Sequence, residues 1–362
     1  MIDKSDTPHG RVYDGCFVGS PVASFSGPQK GSALDTLEYL VVGSEKVPEN
    51  AFKADTRLLK MARSKFITRT LVLRLVDVPN SPLNKAYWAT YHCADALEQR
   101  GQALTTKYCG YRWCVTCNRN KAGELMNGYA DVIRAFSDPH HLVLTKTTVE
   151  GEVLRDEIER MNDAFKRITR KLTRAGLPVK GLRKLECTYN PITGKYHPHF
   201  HVLIETYEQG KHFRKEWLSE FGEEADIKCQ PLDRADEGGL MELLKYFTKI
   251  LPSSKASKAT GKVEVHPHAL DTMFVAMRRK KTIQPFGGLR KLPTKKDKKS
   301  DYQIPERDYA IWVWSQEIAD YEDFQTSEPL TGYEPDKQTL DFVELVKGSK
   351  KISPAGSDAR GA

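Results

Sequence analysis

Between residues 152 and 175 the apolar side chains Ile158, Met161, Phe165, Ile168 and Leu172 recur at spacings of three and four, and Gly176 follows them. That period predicts a long amphipathic helix with a glycine stop. The period then changes to two. In 195–205, KYHPHFHVLIE, His197, His199 and His201 fall on one face of a strand, and Phe200, Val202 and Ile204 on the other. The run Val202-Leu203-Ile204 is apolar on both faces, as in a central strand. A second strand is predicted over Leu182–Tyr189, and NPITG joins the two as a hairpin. Further strands are expected at 68–76 (TRTLVLRLV) and 140–148 (HHLVLTKTT), with helices over 118–136 and from Gly238-Gly239 to about Leu251. Residues 1–50, rich in Gly, Ser, Pro and Asp, read as a poorly ordered leader with one short element near Leu34–Val42. Strand, helix, hairpin, helix is the order of an α+β domain, an antiparallel sheet with helices on one face.

Three histidines on one face of an otherwise buried strand fit a metal site, and equally a solvated histidine cluster on an exposed face. The cysteines speak more clearly. KYCGYRWCVTC holds Cys109, Cys114 and Cys117, a CxxC with a third cysteine five residues before it. Thiolates in this spacing suit a structural zinc, which takes four ligands. Cys93 is the candidate for the fourth, with His92 behind it; Cys16 and Cys187 read as packed free thiols. No thioredoxin-like βαβ pattern surrounds the CxxC, which argues against a redox pair. In GGLMELLKYFTKIL, Glu242, Tyr246 and Lys249 share one helical stripe. A tyrosine nucleophile, with its ordinary pKa of about 10, needs a nearby cation to activate it. By itself the stripe reads rather as an ordinary amphipathic surface.

Charge adds a partner class. The net charge is +8, but residues 306–345 carry eleven acidic and two basic side chains, which leaves +17 on the rest. A basic body with an acidic tail points to a polyanion, most simply nucleic acid. No apolar run has the length of a membrane span, and MIDKSDTPHGRVYDGC lacks the shape of a signal peptide. A reducing cytoplasm is therefore expected, with the seven cysteines unpaired. GxxxxGK[ST] is absent, so no built-in helicase motor is expected.

Taken together, these blocks resemble the rolling-circle replication initiators of small bacterial plasmids, within the HUH endonuclease superfamily. The likeness spans roughly Cys93 to Arg290. HHLVLT resembles the family's first motif strand, and YHPHFHVLI its metal motif, with His199 and His201 around Phe200. ELLKYFTK resembles the YxxK nucleophile motif, with Tyr246 and Lys249. CGYRWCVTC resembles the family's cysteine element, and RRKKTIQPFGGLRK the glycine-containing segment that closes its catalytic domain. The resemblance implies four regions: a variable N-terminal segment (1–60), a zinc-containing part (61–135), an HUH endonuclease core (136–290), and a basic linker with an acidic, flexible tail (291–362). It implies Mg²⁺ or Mn²⁺ at His199 and His201, with Glu186 as the acidic third ligand that such ions prefer. Tyr246 is then the nucleophile that leaves a 5′-phosphotyrosine and a 3′-OH primer, and Glu242 the base for a terminating hydrolysis. The implied partners are single-stranded and origin duplex DNA and the host helicase and replication machinery, with a homodimer as one arrangement and the bacterial cytoplasm as the place. Related alternatives are an HUH transposase or relaxase. An alternative of another class is a non-catalytic zinc-containing nucleic-acid-binding protein.

Overall fold

The computed structural model describes residues 56–225, 232–235, 265–293, 304 and 307–348. Expectations for Leu34–Val42, for the helix from Gly238 to Leu251, and hence for Glu242, Tyr246 and Lys249, lie outside the described residues. The described part of the chain opens with helices α1 (Thr56–Val76) and α2 (Asn84–Tyr91), then strands β1 (Ala96–Arg100) and β2 (Ala103–Thr105). Next come α3 (Val115–Arg134), β3 (His140–Leu144), α4 (Leu154–Arg174), β4 (Gly181–Tyr189), β5 (Tyr196–Ile204) and α5 (Tyr207–Phe221). The short β6 (Leu232–Arg234), α6 (Pro267–Ala276) and β7 (Ile283–Phe286) follow, and β8 (Tyr309–Ser315), β9 (Asp320–Asp323) and α7 (Lys337–Gly348) close it.

The main sheet has the order β6-β3-β5-β4-β7, with every neighbouring pair antiparallel. The histidine strand β5 is its centre, as its doubly apolar run predicts. The hairpin β4–β5 sets Glu186 opposite His199 and Lys184 opposite His201. One face of the sheet carries Leu185, Phe200, Val202 and Ile204 against α4 and α5, where Phe165, Phe213 and Trp217 are buried in the same core. Phe165 meets Phe200, Phe213 and Phe286 at centroid distances of 5.6, 4.6 and 5.2 Å. Truncating any of these rings to Ala would cost about 3–5 kcal/mol. The other face carries Leu182, Lys184, Glu186, His199 and His201. There α3 covers Leu182 and Leu203 with Leu125, Tyr129 and Ile133. Helices thus pack on both faces, not on one as expected. Gly287 has φ +63°, and a Cβ there would lie 1.8 Å from the Val179 carbonyl oxygen. The turn after β7 therefore requires glycine.

Two expectations are corrected. Residues 68–76 are the last turns of α1, not a strand. Their β-branched composition is offset because Leu58, Ala62, Ile67, Leu71 and Leu75 all face the core at helical spacing. Thr68 and Thr70 donate their hydroxyls back to the Ser64 and Phe66 carbonyls, so burial leaves neither unsatisfied. The acidic segment is no flexible tail between 307 and 348: β8 and β9 join β1 and β2 in a second sheet, order β2-β1-β8-β9. Its acids have cationic and backbone partners. Asp323 accepts from Arg307 at 2.5 Å, Asp336 pairs with Arg63 of α1 at 3.1 Å, and Asp320 accepts from the Thr331 and Gly332 amides. Pairing turns a like-charged stretch into folded structure that composition alone does not reveal.

Candidate functional site

Two groups of side chains converge. The first comprises Glu186 on β4 and His199 and His201 on β5, whose ligand atoms lie within 4.8 Å of one another. Glu186 Oε2 is 3.4 Å from His199 Nε2 and 3.1 Å from His201 Nε2. Strand pairing produces this directly, because side chains on paired strands meet on one face. The tautomers are set from behind. His199 Nδ1 lies 3.0 Å from the His197 carbonyl oxygen, which only accepts, so this nitrogen carries the proton and Nε2 presents a lone pair. His201 Nδ1 lies 3.1 Å from Nε2 of His141 on β3, and the two rings stack at 5.2 Å. If His201 donates in that contact, its Nε2 is likewise free to ligate.

Electrostatics keeps the carboxylate charged. Burial by itself pushes Glu186 up, but the Lys184 ammonium, 2.5 Å from Oε1, leads the contacts that outweigh it and hold Glu186 well below the ordinary carboxylate range. Burial pushes His201 down, so this imidazole is held neutral, the form a metal takes. His197 stands apart. It is 2% exposed and stacks on His199 at 5.2 Å. Burial and the neighbouring His199 lower it to about 3. It is not among the converging ligands, and with His197 and His199 both buried the solvated-cluster reading fails.

The second group is Cys93, Cys109, Cys114 and Cys117, whose sulfurs lie within 4.8 Å of one another. Cys93 and Cys109 stand 3.5 and 3.6 Å from Cys117. Backbone amides aim at sulfur: those of Cys109 at Cys93, of Gly110 at Cys117, and of Cys117 at Cys114. Cys114 is also the N-cap of α3. Without an ion the four thiols share charge unevenly: hydrogen bonds from the other three pull Cys109 down, and the hydrogen bonds to Cys109 push Cys93 and Cys114 up. The donor set and its amide shell fit a tetrahedral thiolate site. The turn bearing Cys93 is tied down on two sides. Buried Lys65 of α1 donates to the Tyr91 and Cys93 carbonyls and to Asp95, each within 2.9 Å. Tyr321 of β9 donates to the Ala94 carbonyl and the Trp314 amide to that of Asp95. His92 pairs with Asp95 at 2.7 Å rather than joining the sulfurs.

Sequence reasoning missed His141 and Lys184. His141 was legible only as the outer-face alternate of a strand whose partner was not yet known. Lys184 was legible two residues before Glu186, on the same face. Cys187 is a buried free thiol, as expected. Among the described residues no helix is long and apolar enough to cross a membrane.

Comparison with known proteins fits this arrangement. A protein named Protein rep, from Staphylococcus aureus, is 28% identical over 174 residues, 43% of this chain and 76% of the relative. A Protein rep from a Bacillus species is 33% identical over 144 residues, 35% of this chain and 47% of that relative. The chain thus spans three quarters of one relative and under half of the other. No solved structure matches. The Rep_1 family, described as replication protein, matches residues 101–310, which include both hairpin strands and three of the four clustered cysteines. That segment is more than half of the chain, and the chain belongs to the Rep_1 replication protein family.

Proposed function

We propose that this replication protein initiates rolling-circle replication of a plasmid by cutting one strand of origin DNA, as an HUH endonuclease of the single-tyrosine type. The convergence of Glu186, His199 and His201 on the central hairpin of a Rep_1 chain carries the reading. These three would hold Mg²⁺ or Mn²⁺, which supplies Lewis acidity toward a phosphate oxygen. His141 and the His197 carbonyl orient the imidazoles, and Lys184 keeps Glu186 ionised.

Tyr246 is the assigned nucleophile, on the strength of the YxxK resemblance. Its phenol oxygen bonds to phosphorus, the bond from phosphorus to the 3′ oxygen breaks, and that oxygen takes a proton. The products are a 5′-phosphotyrosine and a free 3′-OH primer. Lys249 eases loss of the phenol proton, and Glu242 takes a proton from water at the second, terminating cut. Cys93, Cys109, Cys114 and Cys117 hold a structural Zn²⁺. Residues 136–290 form the catalytic core, with single-stranded and duplex origin DNA as ligands and the host replication machinery as the downstream partner.

The test incubates the protein with supercoiled origin DNA and Mn²⁺. Nicking with a covalent adduct that maps to Tyr246, and its loss in Tyr246→Phe with binding retained, is the expected result. DNA binding without nicking or adduct would instead establish a zinc-containing binding protein.

A further inference from the structure

We propose that the C-terminal half of α4 is a second DNA-contact surface, one that grips the phosphate backbone of duplex DNA on the side of the sheet away from Glu186, His199 and His201. The choice of ligand rests on the reading of the chain as a DNA-nicking initiator; the surface itself does not.

Residues 166–174, KRITRKLTR, hold five cations and no acid. Ile168 and Leu172 point into the core, and every cation points outward. Arg167, Arg170, Lys171 and Arg174, spaced i, i+3, i+4 and i+7, stand together on one exposed face of the helix. Seven residues of helix extend it about 10 Å. Two of the cations are braced from α5, Arg167 by Glu220 and Lys171 by Glu216. Arg170 and Arg174 are exposed and form no ion pair among the described residues.

Helix stability does not explain the stripe. The helix dipole favours cations only in the last turn, which accounts for Lys171 and Arg174 but not for Arg167 and Arg170. Like charges at i, i+4 repel; Glu220 and Glu216 offset this for Arg167–Lys171, whereas Arg170–Arg174 has no such acid among the described residues. A polyanion relieves that repulsion. Duplex DNA presents a charge about every 1.7 Å of its axis, and a cationic stripe releases its counterions. The stripe holds no aromatic side chain, whereas single-strand surfaces stack bases on aromatics. Arginine forks on a convex helix suit phosphate contacts that carry no sequence information.

Location gives the surface its role. Phe165 of α4 packs on Phe200 of β5, while His199 and His201 leave β5 from the opposite face. A duplex held on α4 leaves the histidine face open to a separated strand. The protein would then hold the double-stranded flank of its site and process the single strand on different sides of one sheet.

The experiment measures full-length wild type and Arg170→Ala/Arg174→Ala against a short duplex of arbitrary sequence across a salt series, with melting as the check on folding. Two lost phosphate contacts should lower the slope of log affinity on log salt by about 1.8. Affinity for a single strand of equal length, and its nicking, should stay within twofold. Arg170→Lys/Arg174→Lys should restore the slope. An unchanged duplex slope, or an equal loss on the single strand, overturns the proposal. Wild type that fails to nick but shows the slope change would refute the nicking reading and leave this surface standing.

Discussion

The cysteine cluster and the Glu186–histidine group are both convergent ligand sets, yet they are built in opposite ways. Three of the four cysteines lie within nine residues of chain, and Cys93 is drawn in by Lys65, Ala94 and β9. Its sulfurs are braced by backbone amides of the cysteine loop itself, and four sulfurs are the number a tetrahedral site takes. Among the described residues the histidine group offers three ligands, on rigid paired strands. It is braced by side chains and a carbonyl from the sheet. A closed set holds structure; an open set on a rigid scaffold leaves room for a substrate. On the proposed reading, ligand count together with the rigidity of the support, rather than ligand type, separates a stabilising site from a reactive one.

The largest effect that would break this comparison comes from metal removal. Chelation, or Cys114→Ser, should unfold the region joining α1, α3 and β9, because structural zinc contributes on the order of 10 kcal/mol. Circular dichroism and melting with and without chelator measure it, and an unchanged melt would place the cluster among packed free thiols. By contrast, His199→Ala or His201→Ala should leave melting within a few degrees while Mn²⁺-dependent nicking falls by roughly 10³-fold, the several kcal/mol a metal supplies. His197→Ala should lower nicking by far less, since His197 stands outside the converging set. Equal damage from all three would make the site a three-histidine one and remove Glu186 from it.

The elements nearest these sites were also the most legible in sequence. The 3.6-residue period of 154–174 and the change to period two at 196–204 defined α4 and β5 because each buries one face in the same core. The CxxC and the histidine strand are local patterns, so their residues could be named without a fold. What could not be read is what depends on distant pairing. Residues 68–76 have the composition of a strand and become helix because tertiary burial decides at Ile67, Leu71 and Leu75. Residues 307–348 look like a solvated acidic tail until Arg63 and Arg307 supply their partners. His141 comes sixty residues before His201, and only the register of β3 on β5 brings the rings together.

His141 sharpens the comparison at an intermediate scale. If it fixes the tautomer of His201, His141→Ala should weaken Mn²⁺ binding about 10- to 100-fold, the usual cost of removing an outer hydrogen-bond partner. Isothermal titration with Mn²⁺ reads this directly. His141→Gln, which retains an acceptor toward His201, should recover much of it. Equal affinity in wild type and His141→Ala would show that packing alone orients His201.

The smallest effect concerns the support under the histidine strand. Glu224 follows α5 and accepts from both Arg160 guanidinium nitrogens, at 2.8 and 2.9 Å, and from Lys146 at 2.5 Å. Lys146 is buried just beyond β3 and also pairs with Glu157 at 2.6 Å. The Arg160 and Lys146 hydrogen bonds pull Glu224 from its ordinary 4.5 to about 2. A depressed carboxylate pKa means that the unfolded chain binds the proton more readily than the folded one. The stabilisation is therefore complete above about pH 4.5 and is lost as pH falls from 4.5 toward 2. Glu224 keeps 40% of its side chain exposed, so solvent screening limits the gain to about 1 kcal/mol or less. Glu224→Gln should lower the melting temperature by a few degrees at pH 7 and have progressively less effect below pH 4. Because Glu157 still pairs Lys146, metal affinity at Glu186, His199 and His201 should not change. A shift in Mn²⁺ affinity with Glu224→Gln would mean that the hairpin borrows its rigidity from this ion network and that the sheet alone does not hold the open site.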